Sequence, residues 1–264
     1  MPLNASVRAG LLSRCYPAVF VDEGGRHYTP EMEVWSSIEA SPFAQVYLAE
    51  LYWLADALAR DATAIFAEFP EPPVDGSFIR VDPALHHQLL GLLNTAARVK
   101  ALISPRPKNR HQTRQQHEVQ VRRARWLRGK LDGLDLSEIE NDSVRHSLEH
   151  FDEYLDRTAL TAATREIRPP ALMPFDVALG KRDTLAVFPI DGASAQVEFL
   201  RVYLVDEKVV VNCGREVRVD MLRDQAAGVR DRLVHEVPER ERGGLMLLIT
   251  EGTFLPIRAA GASE

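Results

Sequence analysis

The sequence predicts an α+β protein in which a helical bundle is followed by a small β-rich module with one helix. Three observations predict it. Apolar residues recur every three or four positions through 43–65, 85–103 and 144–159. Arg168-Pro169-Pro170 ends that periodicity, and short β-branched runs follow. The punctuation agrees, with proline just inside helix starts and proline clusters just past helix ends. The expected division is an extension over 1–35, a bundle over 36–166, an α/β module over 167–257 and a tail over 258–264.

Within the extension, Val19-Phe20-Val21 reads as a short strand and Gly24-Gly25 as a turn. Ser41-Pro42 opens the first helix, whose apolar row includes Phe43, Tyr47, Leu51, Leu54, Leu58 and Ile65 before Pro70. Asp82-Pro83 opens the second, with Leu85, Leu89, Leu92, Ala96, Val99 and Ile103 on one side and Pro105 and Pro107 beyond. A third helix runs from about Thr113 to Leu131, anchored sparsely by Val119, Trp126 and Leu127. The fourth starts at Asp142 or Ser143, either of which can cap free backbone N–H groups. Its row of Val144, Leu148, Phe151, Leu155 and Ala159 spans ~80° of the helix and predicts a seam facing a core.

Beyond residue 170, Thr184–Ile190, Val197–Leu204 and Lys208–Val211 read as strands, with turns at Asp191-Gly192 and Asp206-Glu207. Asp220 opens a helix carrying Met221, Leu222, Val229 and Leu233, closed by Pro238, and Leu245–Ile249 reads as a last strand.

Composition narrows the class. No apolar run approaches the ~20 residues that span a bilayer, and Met1–Arg8 lacks a basic-then-apolar leader. Cys15 and Cys213 are isolated, as free thiols of a reducing compartment would be, so the expectation is a cytoplasmic protein with no membrane association. Phosphate loops, nucleophile elbows and EF-hand spacings are absent, and no cofactor or metal is expected.

Charge is uneven. The chain carries a net −6, yet residues 100–130 hold ten cations and a single acid, Glu118. Arg106, Lys108, Arg110, Arg114, Arg122 and Arg125 are the residues expected to contact RNA phosphates. The competing reading is a solvated surface balanced by Asp132, Asp135, Glu138, Glu140 and Asp142 just downstream.

The start of the fourth helix concentrates ionisable groups: Arg145, His146, Glu149, His150, Glu153 and Arg157. His146-Ser147-Leu148-Glu149-His150 matches HxxEH, in which paired histidines hold zinc and the glutamate polarises water, so a zinc hydrolase is one reading. Surface ion pairs, Arg145–Glu149 and Glu153–Arg157, are another.

Arg145 and His150 also form an R-x4-H motif at the head of the last bundle helix, and in this the helical region resembles the HEPN superfamily. The resemblance covers roughly residues 36–166. It implies a metal-independent endoribonuclease, or a catalytically inactive HEPN-like module that binds RNA or protein. His150 would be the base on a ribose 2′-OH, Arg145 would stabilise phosphate charge, and His146 would orient the site. Five residues turn an ideal helix by ~140°, so one helix cannot easily aim both groups at one phosphate. Two copies about a two-fold axis can, which predicts a homodimer. A toxin or defence role, with a protein antitoxin as partner, is what the resemblance suggests.

Overall fold

The computed structural model describes residues 20–21, 27–28, 38–39, 43–69, 79–141, 143, 146, 149–164, 172–183, 189–190, 193–194, 196–242, 247–250 and 253–256. The protein is α+β.

Helix α1 (Ala44–Glu68) is the centre of the core. Leu48, Leu51, Leu54, Ala55, Leu58, Ala62 and Ile65 are all buried. A stripe this wide serves several neighbours, and α1 packs on α2 (Pro83–Ile103) and on a helix from far along the chain, Val219–Leu233. As the sequence predicts, Pro83 sits in the first turn of α2 and the Asp82 carboxylate accepts from Leu85 N at 3.0 Å. Ser41 and Pro42, the expected opening of α1, lie outside the described residues. Helix α3 (Arg114–Lys130) starts with a capping box in which Thr113 and Gln116 satisfy each other's backbone N–H groups. Only Ala124 and Leu127 are buried in α3, so it is a surface helix.

A short helix α4 (Ser137–Glu140) follows, then α5 (Phe151–Thr164), and the bundle differs from expectation here. None of residues 151–160 is buried, and Leu155, assigned by its spacing to a core seam, is 41% exposed. Val144 and Leu148, the head of that seam, lie outside the described residues. The place expected for the fourth bundle helix is taken by α6 (Val219–Leu233), whose Leu222, Ala226, Val229 and Leu233 are buried. A last short helix, α7 (Glu239–Arg242), is pinned to α1 where Trp53 Nε1 donates to Arg242 O at 2.7 Å.

Strands β1 (Phe20–Val21) and β2 (His27–Tyr28) pair antiparallel, in keeping with the short strand read at Val19–Val21. The main sheet is built from β3 (Ile79–Val81), β5 (Ala178–Gly180), β9 (Arg201–Leu204), β10 (Val209–Asn212) and β11 (Arg215–Arg218). Across the sheet their order is β11-β10-β9-β5-β3. Neighbours pair antiparallel except β5 and β9, which are parallel. Leu179, Tyr203, Val210 and Val217 point to the helices, while Ala178, Val202, Leu204, Val209 and Val211 form a second buried cluster. Burial on both faces explains why Val209-Val210-Val211 is apolar throughout rather than alternating.

The β9–β10 turn falls where Asp206-Glu207 predicts it. The β10–β11 loop is the two residues Cys213-Gly214, both at positive φ (48° and 74°), as a type I′ hairpin turn requires. The expected strand 197–204 is two strands, β8 (Gln196–Phe199) and β9, broken at Leu200, and β8 pairs in parallel with β4 (Leu172–Phe175). Strands β6 (Pro189–Ile190) and β7 (Ala193–Ser194) form another pair, and β12 (Leu247–Thr250) and β13 (Thr253–Pro256) a last hairpin.

Across the expected boundary at 166/167 the core is continuous. One cluster of buried side chains joins α1, α2 and α3 to Leu179, Tyr203, Val210 and α6, and the N-terminal half supplies the edge strand β3 to the sheet. Among the described residues, no helix is long and apolar enough to cross a membrane.

Candidate nucleic-acid interface and histidine cluster

The cationic block divides into two sets. Its inner members are held by protein partners. Lys100 Nζ donates to Glu140 O at 2.7 Å, Arg123 Nη2 to Ala101 O at 2.8 Å, and Arg128 Nη1 to Glu140 Oε1 at 2.9 Å. Lys130 bridges Glu236 at 2.8 Å and Glu39 at 3.6 Å, contacts that raise its pKa. The outer members are the six residues singled out from sequence: Arg106, Lys108, Arg110, Arg114, Arg122 and Arg125 are all exposed. Arg110 Nε donates to His111 Nε2 at 3.0 Å, and Arg114 pairs with Glu118 at 2.9 Å. On α3, Arg114, Arg122 and Arg125 fall within ~80° of one another over a rise of ~16 Å, forming one cationic edge with the 105–112 loop.

Of the acids near this edge in sequence, Glu118 pairs with Arg114 on it and Asp132 is exposed, while the next three are engaged elsewhere. Asp135 accepts from Ser137 N at 2.9 Å and from Gln225, which hold its carboxyl below the usual range. Glu138 accepts from Arg218 N at 2.7 Å, and Glu140 is held by Arg128 and Ser104. Asp142 lies outside the described residues.

Behind the edge, α1, α2, the loop and α3 border an open cleft of about 880 Å³. Glu50, Arg98, Asn109, Gln112, Gln120 and Arg123 are among its walls. The sequence carries no motif for it, because its walls come from three helices and a loop.

At the R-x4-H motif, Arg145 lies outside the described residues. His146 is exposed and His150 half-buried, and their ring centroids are 4.6 Å apart. His150 Nδ1 is 3.1 Å from Glu153 Oε1, one turn on. A carboxylate there accepts the Nδ1 proton and leaves Nε2 as the basic nitrogen. Arg215 Nη2 donates to Tyr154 OH at 2.8 Å on the same helix. Among the described residues no three His, Cys, Asp or Glu side chains are grouped to hold a metal ion, those of the HxxEH segment included.

A second hollow, about 350 Å³, lies between α2 and the sheet, lined by His86, His87, Leu90, Val177, Arg201 and Asn212 among others. Arg201 grips Asp176 with Nε and Nη2, each at 2.6 Å. Val177 holds φ at 45°, a strained value for a β-branched residue, with its N–H on Asp176 Oδ1 and its carbonyl accepting from Asp82 N. His86 Nε2 donates to Ala178 O at 3.1 Å; burial, aided by Arg201, pushes its pKa below 6.5. No sequence motif marks this hollow, since its walls come from distant segments.

Comparison with protein-family models, with curated proteins and with solved structures finds no match to this chain.

Proposed function

We propose that this protein binds RNA along the cationic edge formed by the 105–112 loop and the outer face of α3. One observation carries the reading: the six outer cations are exposed and outnumber Glu118, the acid paired among them, while Asp135, Glu138 and Glu140, three of the acids that would balance a merely solvated surface, are bonded to other partners. A cluster of this kind in a chain of net −6 is a local feature, not a consequence of overall charge. Binding through phosphates releases counterions, so affinity falls steeply with salt. The test is affinity for an RNA oligomer across a salt series. Charge reversal at Arg106, Arg122 and Arg125 should weaken binding and flatten the logarithmic slope by ~0.7 for each single-strand phosphate left unneutralised. Unchanged affinity and slope would return the edge to ordinary solvated surface. On this reading the protein is cytoplasmic, in a compartment where Cys213 stays a thiol.

A second reading, metal-independent RNA cleavage of the HEPN type, is favoured by the His150–Glu153 contact. It supplies an oriented imidazole whose free nitrogen can take a 2′-OH proton. His146 stands beside it, and Arg145 would stabilise the phosphate. A homodimer would complete the site, and the exposed Leu155 is an apolar surface that a second copy would cover. Cleavage should survive EDTA, leave a 2′,3′-cyclic phosphate and spare DNA. His150→Ala should slow it by ~10²-fold or more. A protein that binds RNA without cutting it, with parent and His150→Ala alike, would leave the binding module alone.

A further inference from the structure

Of the four carboxamides along the cleft between α1, α2 and α3, three have their orientations set by backbone N–H groups and the fourth by one of those three. Asn109 N donates to Gln112 Oε1 at 3.2 Å, His111 N to Asn109 Oδ1 at 2.9 Å, and Thr113 N to Gln116 Oε1 at 2.9 Å. Because an N–H can donate only to oxygen here, each of these amides must present its NH₂ elsewhere. Gln112 spends its NH₂ on Gln120 Oε1 at 3.1 Å, which turns Gln120 the same way. Asn109, Gln116 and Gln120 therefore keep their oxygens for the protein and their NH₂ groups for an occupant. Arg123 adds to this set: its Nε is buried with no hydrogen-bond partner, although Nη2 is satisfied by Ala101 O. Arg106 lines the same walls, and Glu50, the acid among them, is held by Arg98 at 2.8 Å.

We infer that this cleft is a donor-lined subsite for a single strand of RNA, whose phosphate and base oxygens accept from Asn109, Gln116, Gln120 and Arg123. The inference rests on the RNA-binding reading and names the form of RNA that the site takes. A donor-lined wall suits a ligand rich in acceptors. Leu54, Leu102 and Val119 supply apolar surface for base and ribose faces. A volume of about 880 Å³ is in the size class of small-ligand pockets, which suits unpaired nucleotides better than a whole duplex. The amide-bearing face of α3 lies roughly opposite its Arg114–Arg122–Arg125 face, and the 105–112 loop, whose Arg106 and Asn109 line the cleft, is the route by which a strand passes from the cationic edge into it.

Gln120→Glu tests this without disturbing the local fold, because a carboxylate still accepts from Gln112 while the outward donor becomes an acceptor. Ala64→Glu, exposed near the C-terminal end of α1, adds the same charge away from both the cleft and the cationic edge. Affinity is measured by fluorescence anisotropy for a single-stranded RNA oligomer and for its duplex, with thermal melts of each variant as a folding check. The expected result is about a tenfold loss for Gln120→Glu on the single strand, against at most about twofold for Ala64→Glu, and no such contrast on the duplex. Equal losses for the two variants, or an equal contrast on the duplex, would overturn the subsite. If charge reversal at Arg122 and Arg125 abolishes binding while Gln120→Glu leaves it intact, the cleft falls and the cationic edge stands. Absence of RNA binding by the parent protein overturns both.

Discussion

The Arg201 guanidinium lies 4.3 Å from the centroid of the Phe151 ring while its two nitrogens grip Asp176. Together with the Arg215–Tyr154 hydrogen bond, this contact joins the exposed helix α5, and with it the histidine cluster, to strands β9 and β11. Lysine cannot reproduce the planar two-pronged grip. Arg201→Lys should therefore destabilise the protein by about 1–2 kcal/mol in urea unfolding. A double-mutant cycle with Phe151→Ala should show about 0.5–1 kcal/mol of coupling. Strict additivity would mean that α5 is not held by this pair.

His86 makes stability depend on pH. Burial lowers its folded pKa, with Arg201 adding to the shift, and the Ala178 carbonyl, Asp176 and Asp82 only partly offset it. The unfolded chain takes up the proton near 6.5, the folded protein only at lower pH. Between those values the unfolded state binds more protons, so stability falls as pH drops below about 6.5. The melting temperature should decrease from pH 7.5 to 5.5, and His86→Gln, whose amide can still donate to Ala178 O, should flatten that decrease. Asp176 works in a lower window. Burial raises its pKa, but the Arg201 hydrogen bonds and charge outweigh that and hold it below 3.8, so its contribution is lost only under stronger acid. An unaltered profile in the glutamine variant would remove His86 as the cause.

Gln225 ties α6 to α4. Its Oε1 accepts from Glu138 N at 3.0 Å and Ile139 N at 3.1 Å, and its Nε2 donates to Asp135 and Ser137. Truncation would leave two N–H groups near the core unsatisfied. Gln225→Ala should cost about 2–4 kcal/mol. Gln225→Glu, which keeps the acceptor, should cost less. If both variants unfold at the parent's urea concentration, water has replaced the side chain at no cost.

What could be read from the chain was local. Asp82-Pro83 and the Thr113–Gln116 box carry their own start signals, so α2 and α3 stand where expected. What failed was partnership. Val144–Ala159 has a helical apolar period, but period does not say whether a core is there to receive it, and α6 packs on α1 instead. Strands β3 and β5 have only three residues each and pair across the chain, leaving almost no periodic signal. His86 meets the carbonyl of Ala178 from 92 positions away, so the hollow around it has no motif. The outer cations were legible because they crowd onto one loop and one helix face. The carboxamides beside them were not, since their orientation depends on hydrogen bonds that only the fold reveals.

Tyr203 offers the converse of Gln225. Its side chain is fully buried in the main core on the central strand β9, and its hydroxyl has no hydrogen-bond partner. Burial, with Asp220 adding a smaller push, drives its pKa well above 10, so the phenol stays neutral at any ordinary pH. The hydroxyl has given up its water without gaining an acceptor, and that cost offsets part of what burying the ring contributes. Tyr203→Phe deletes only this oxygen and leaves the packing of the ring in the core in place. The urea midpoint should rise with an unchanged slope, a gain of about 1 kcal/mol. A drop of similar size would show that the hydroxyl is satisfied in solution, with an ordered water as the simplest partner.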